Sequence, residues 1–185
     1  MLEYEKARLK LAHYWFKTIG RWRSCPFICP VVRPHHRHVF WSWFGSFLAI
    51  FITSYLTVKT NSPLLMAPFG ATSVVIFSFP DSPLAQPRNV IGGNLLGALV
   101  SLIFLHFLGS SPVTMAMAVS TSIALMQLTG TVHPASGGIA LVVMMTKPDW
   151  QFLLTPTLEG SMILVLCAVV FNNLAQERIY PKYWL

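Results

Sequence analysis

Six apolar runs, at 39–58, 64–79, 89–108, 113–128, 134–146 and 158–172, dictate what this chain can become. A bilayer crossing takes roughly 20 residues of helix, and three of the runs come near that length once polar flanking residues are counted. Only 10% of the 185 residues are charged, while 54% are hydrophobic. A water-soluble domain of this size draws on about 25% charged residues to coat itself. Lipid must therefore cover much of the surface, and the expected fold is an all-α polytopic membrane helix bundle.

Two runs, 64–79 and 134–146, are too short for a regular span. Each carries Pro and Gly near its start, as Pro68-Phe69-Gly70 and as Pro134-Ala135-Ser136-Gly137-Gly138. Short Pro/Gly-interrupted segments at matching places in two halves point to broken helices and to a binding site between them. The halves do match. A gapless shift of 68 residues superposes Gly70 on Gly138, Val74-Val75 on Val142-Val143, Pro80-Asp81 on Pro148-Asp149, Gly92 on Gly160 and Thr53-Ser54 on Thr121-Ser122. Two repeats follow, each with a span, a short Pro/Gly-led helix, a Pro-Asp loop and a second span. If the short helices cross, the halves are inverted; if they are re-entrant, the halves run parallel. The inverted arrangement is preferred, and either one puts both termini on the same side.

Charge fixes the expected orientation. Eight of the 13 Lys and Arg lie within residues 1–38, against Glu3 and Glu5 alone, which leaves that segment six net positive charges. Ahead of a long apolar span, such a segment reads as a cytoplasmic anchor attracted to anionic headgroups, not as a nucleic-acid arm. Residues 3–20 space Leu9, Ala12, Trp15, Phe16 and Ile19 as an amphipathic helix for the membrane surface. The first apolar run begins too late for a cleaved signal sequence, so it is expected to stay in the mature protein. Trp41, Trp43 and Phe44 stand where an interfacial aromatic belt belongs. The expected division is a basic segment over 1–34, a transmembrane domain over 35–176 and a short tail over 177–185. The inner membrane of a bacterium, or a chloroplast envelope, is the expected location.

The stretch SPLAQPRNV at 82–90, the PFGA at 68–71 upstream and the His133-Pro134 dipeptide together resemble the HPP family of integral membrane proteins. The resemblance covers about residues 35–175, and the name-giving His-Pro-Pro stands here as His133-Pro134-Ala135. It implies four spans, with the short segments re-entrant or interfacial. It also implies a nitrite transporter-like role, since members with an assigned role resemble nitrite transporters of cyanobacterial and chloroplast membranes.

The candidate site follows from the short helices. Gly70, Ala71, Thr72 and Ser73 follow Pro68, while Ser136, Gly137 and Gly138 follow Pro134. A helix N-terminus inside a bilayer presents unpaired N–H groups and a positive dipole end, which suit an anion; the competing reading is close helix packing through small residues. His133 heads the second short helix as a hydrogen-bond or proton partner, or as a local cap. Arg88, the only Lys or Arg between Lys59 and Lys147, either marks a span end, locks the loop to Asp81, or attracts anions. His106 is expected at an interface. Cys25 and Cys29 with His35, His36 and His38 lack a familiar zinc spacing, and no metal or cofactor is expected. No acidic pair lies within the spans and no nucleophile or phosphate-loop motif is present, so an enzyme is not expected. The expected function is a transporter or channel for a small inorganic anion, nitrite first and nitrate second, with a homo-oligomer as an expected assembly. The alternative is a structural or regulatory membrane subunit with no path of its own.

Overall fold

The computed structural model describes residues 34–175 and 178–184; the amphipathic helix expected over 3–20 and the pair Cys25 and Cys29 lie outside them. The described residues form six helices: α1 His36–Thr60, α2 Pro68–Ser78, α3 Pro87–Leu108, α4 Pro112–Thr129, α5 Ala135–Thr146 and α6 Glu159–Leu174. Proline at the first turn starts α2, α3 and α4, where its missing N–H costs nothing. Ser111 and Thr114 close a reciprocal cap on α4. Left-handed residues stop α1 at Asn61, α4 at Gly130 and α5 at Lys147. Four helices are long and apolar enough to span a membrane: His36–Thr60, Pro87–Leu108, Pro112–Thr129 and the stretch Trp150–Leu174, which includes two turns ahead of α6.

The two short helices are half-crossings. Ser42 Oγ donates to Phe77 O at 2.8 Å and His38 Nε2 to Ser78 O at 3.1 Å, so α2 ends beside the start of α1. That side is the proximal end of the bundle. α1 is ~37 Å long and α2 only ~16 Å at 1.5 Å per residue, and the non-helical residues 61–67 make up the rest. In the second half, Arg88 Nη2 reaches Thr129 O at 2.7 Å, and a Cβ on Gly97 would meet Ser136 O at 2.7 Å. Residues 130–136 therefore climb beside the first half of α3. α5 then runs on until Met144 O accepts from Ser110 Oγ at 2.7 Å, at the distal end.

The described residues thus traverse the bundle six times, and the second half repeats the first upside down, as the preferred reading of the repeat expected. A count of long apolar helices among them finds four because each remaining traverse is part non-helical chain and part short helix. The halves interlock: α3 packs on α4 and α5, and α6 packs on α1 and α2. The matched glycines Gly92 and Gly160 serve the same purpose in each half. A Cβ on Gly160 would stand 2.6 Å from Leu64 O, and one on Gly92 3.1 Å from Thr131 Cγ2, so each third span presses against the other half's unwound segment. Gly45 likewise lets α1 approach α6, with 2.7 Å between a hypothetical Cβ and Phe171 Cδ1.

The outer face of α1 carries Phe40, Trp43, Phe47, Phe51 and Tyr55, exposed and stacked turn upon turn as a lipid-facing surface. Of the expected aromatic belt only Trp43 faces outward. Trp41 and Phe44 turn inward onto Phe171, with ring centroids 5.3 and 5.6 Å away. His106 is exposed near the distal end of α3, its ring 6.0 Å from that of Trp150.

Candidate functional site

Where the N-termini of α2 and α5 meet, a Cβ on Gly138 would lie 3.3 Å from Pro68 Cγ. Two positive helix ends therefore converge inside the bundle, each reached through unwound backbone. Around this point the protein buries two hydrogen-bonded groups of polar side chains. His133 is fully buried, its Nε2 3.0 Å from Thr72 Oγ1 and its Nδ1 2.9 Å from Leu84 O. A carbonyl only accepts, so Nδ1 carries a proton. In the neutral ring Nε2 then accepts from the Thr72 hydroxyl. In the cationic ring Nε2 donates, and the Thr72 hydroxyl turns toward Pro68 O at 3.4 Å. His133 and Thr72 can thus exchange the direction of one hydrogen bond without moving apart.

Beside them, Asn94 of α3 donates to Ser161 Oγ of α6 at 3.0 Å and accepts from Ser136 Oγ of α5 at 3.1 Å. All three residues have no exposed surface. Polar groups away from water in a membrane protein are costly unless paired, and they mark function or helix association. Ser73, one turn into α2, is buried, and its hydroxyl has no hydrogen-bond partner among the described residues. It is a spare donor close to a helix N-terminus.

The expected site residues divide into three groups. Thr72, Ser73, His133, Ser136 and Gly138 lie within the converging region. Gly70 and Ala71 face out of the bundle, and neither Gly70 nor Gly137 has any atom within 4 Å of where a Cβ would stand. Arg88 sits at the proximal end, exposed, and its hydrogen bond to Thr129 O caps the last carbonyls of α4. It does not lock the loop to Asp81. Asp81 pairs instead with Lys182 Nζ at 2.9 Å, because the chain after α6 folds back under the loop. The sequence reading missed Asn94, Ser161 and Asn89, whose amide donates to Val132 O at 3.0 Å and holds the unwound segment. An amide within an apolar run was the available signal.

At the distal end a cavity of about 600 Å³ opens between residues 61–66 and the loop 146–156. Asn61, Ser62, Thr146 and Gln151 supply polar lining, and Met66, two residues before α2, also lines it. Asp149 also borders it, so it is polar without being an anion-selective ring. Among the described residues no group of His, Cys, Asp and Glu is arranged to hold a metal ion.

The HPP transmembrane region family matches residues 31–181 of the chain. A transmembrane protein of Dictyostelium discoideum is 37% identical over 163 residues, covering 82% of this chain and 57% of its own length. A second transmembrane protein of the same organism is 34% identical, covering 95% of this chain and 60% of its own. The chain thus spans less than two thirds of each of these relatives. No solved structure matches it. A family match over all six described helices and two transmembrane relatives agree: the chain belongs to the HPP family of integral membrane proteins.

Proposed function

We propose that this membrane protein passes a small inorganic anion, nitrite first and nitrate second, through the point where the two half-helices converge. The carrying observation is the approach of Gly138 to Pro68, which brings two positive helix ends together inside the bundle. Supporting it are the spare Ser73 hydroxyl and the distal cavity, whose lining includes Met66 two residues before α2. No Asp or Glu lies in the described half-helices or in α1, α3 and α4, and Glu159 at the start of α6 is exposed. The reversible His133–Thr72 hydrogen bond offers a route for coupling anion movement to a proton. Nitrite as the ion rests on the family resemblance. We read the chain as a non-enzyme with its N-terminus in the cytoplasm.

The test is nitrite uptake by proteoliposomes that contain this chain alone, with nitrate, chloride and sodium as comparisons. Anion uptake above that of empty vesicles is the expected result. Vesicles no more permeable than empty ones would overturn it and favour a structural or regulatory subunit.

A further inference from the structure

The two ends of the bundle differ. Met66, two residues before α2, lines the distal cavity, whereas the turn Ser82–Gln86 lies at the proximal end with Ala85 and Gln86 fully buried. Leu84 O of this turn is the carbonyl that holds His133 Nδ1, so the turn closes the bundle directly beneath the polar cluster. The turn is in turn held by residues that follow α6. Tyr180 Oη donates to Ala85 O at 2.7 Å and Lys182 N to Gln86 Oε1 at 2.8 Å. Arg178, nine-tenths buried, anchors that segment through Phe77 O, Asn172 Oδ1, His38 O and Ser42 Oγ, all within 3.1 Å.

We propose that Arg178–Lys182 is a latch, and that the Ser82–Gln86 turn it holds is a gate closing the proximal side of the path under His133. The anchor and the latch differ in strength. Arg178 makes four charge-assisted bonds in a buried setting and stays put. Tyr180 and Lys182 each contribute one hydrogen bond to the turn, and the exposed Lys182–Asp81 pair adds little. Asn173 holds both the N–H and the carbonyl of buried Tyr180, so release begins at Lys182 and is completed when the Tyr180 hydroxyl leaves Ala85 O. It frees the Ser82–Gln86 turn, breaks the Leu84–His133 bond and opens the polar cluster to the proximal side. The inference that opening admits an ion rests on the transport reading; the latch itself does not.

The test is hydrogen–deuterium exchange of the full chain in lipid nanodiscs, read on the peptide covering 80–88, alongside nitrite uptake by proteoliposomes. Two variants are compared with the natural chain: Tyr180→Phe, which removes one hydroxyl, and deletion of residues 179–185, which keeps Arg178. Exchange in 80–88 is expected to rise about threefold to tenfold in Tyr180→Phe, as for the loss of one hydrogen bond, and further in the deletion. Peptides from α5 should not change. Unchanged exchange in 80–88 with Tyr180→Phe, which has no reason to misfold, overturns the latch, as does an equal rise throughout the bundle. Faster exchange in 80–88 with no nitrite uptake by any of the three proteins keeps the latch and removes the transport reading.

Discussion

Pro68 and Gly138 face each other across the seam between the two halves, 3.3 Å from ring carbon to a would-be Cβ. The contact joins the first turn of one short helix to the first turn of the other. Neither helix could start there without unwound chain before it, since a continuous span would carry its first turn to the membrane surface. The polar cluster is built around this seam: Thr72 comes from one short helix, Ser136 from the other, and His133 from the residues just before it.

Topology gives the first prediction. With Cys25, Cys29 and Cys167 replaced, Ser82→Cys and Gln151→Cys should react with an impermeant maleimide from opposite faces of the membrane. The loops holding them lie at the proximal and distal ends in the inverted arrangement. Reaction of both from the same face would mean that the short helices do not complete a crossing.

His133 gives the second. His133→Ala leaves Leu84 O and the Thr72 hydroxyl without their partner in a buried setting, at a cost of about 1–3 kcal/mol. Thermal unfolding in detergent should start several degrees lower, and nitrite uptake should fall. A variant as stable as the natural chain would show that these hydrogen bonds are not held in the membrane.

Arg88 behaves as a cap in this fold and not as a lure for anions. Its loss in Arg88→Gln removes a cation from the C-terminus of α4, worth about 0.3–1 kcal/mol for an exposed group. Stability should drop slightly, and any change in uptake should be the same at 10 mM and 300 mM salt. A loss confined to low salt would instead mean long-range attraction.

Much of this was legible beforehand. The 68-residue shift marked the repeat because Gly92 and Gly160 occupy equivalent close approaches, tight at Gly92 and closed to any side chain at Gly160, where Leu64 O stands 2.6 Å from a would-be Cβ. Pro68 and Pro134 marked the half-helices because proline starts a helix but does not continue one. Gly70 misled, since periodicity alone does not tell which side of a short helix faces inward. The Asp81–Lys182 pair and the return of Tyr180 under Ala85 were invisible, because they join residues about a hundred positions apart and no local pattern encodes such contacts.

Tyr180 carries a pH signature. Burial pushes its phenol above the ordinary value near 10. A raised folded-state value means its contribution is complete below about pH 10 and declines as pH rises through the folded value. The difference in Tm between the natural chain and Tyr180→Phe should therefore be constant from pH 6 to about 9.5 and shrink at higher pH. A difference that grows with alkaline pH would contradict the buried donor.

The most direct test of the anion path is a pair of glycine substitutions measured as initial nitrite uptake in proteoliposomes. Gly138→Leu drives its side chain into Pro68 where the helix ends converge, whereas Gly70→Leu extends into open space on the outer face. Both must first elute as monodisperse protein in detergent and orient normally in the vesicles. The account predicts that Gly138→Leu lowers uptake at least tenfold while Gly70→Leu stays within twofold of the natural chain. Normal uptake through a well-folded Gly138→Leu would place the path elsewhere and contradict the central claim.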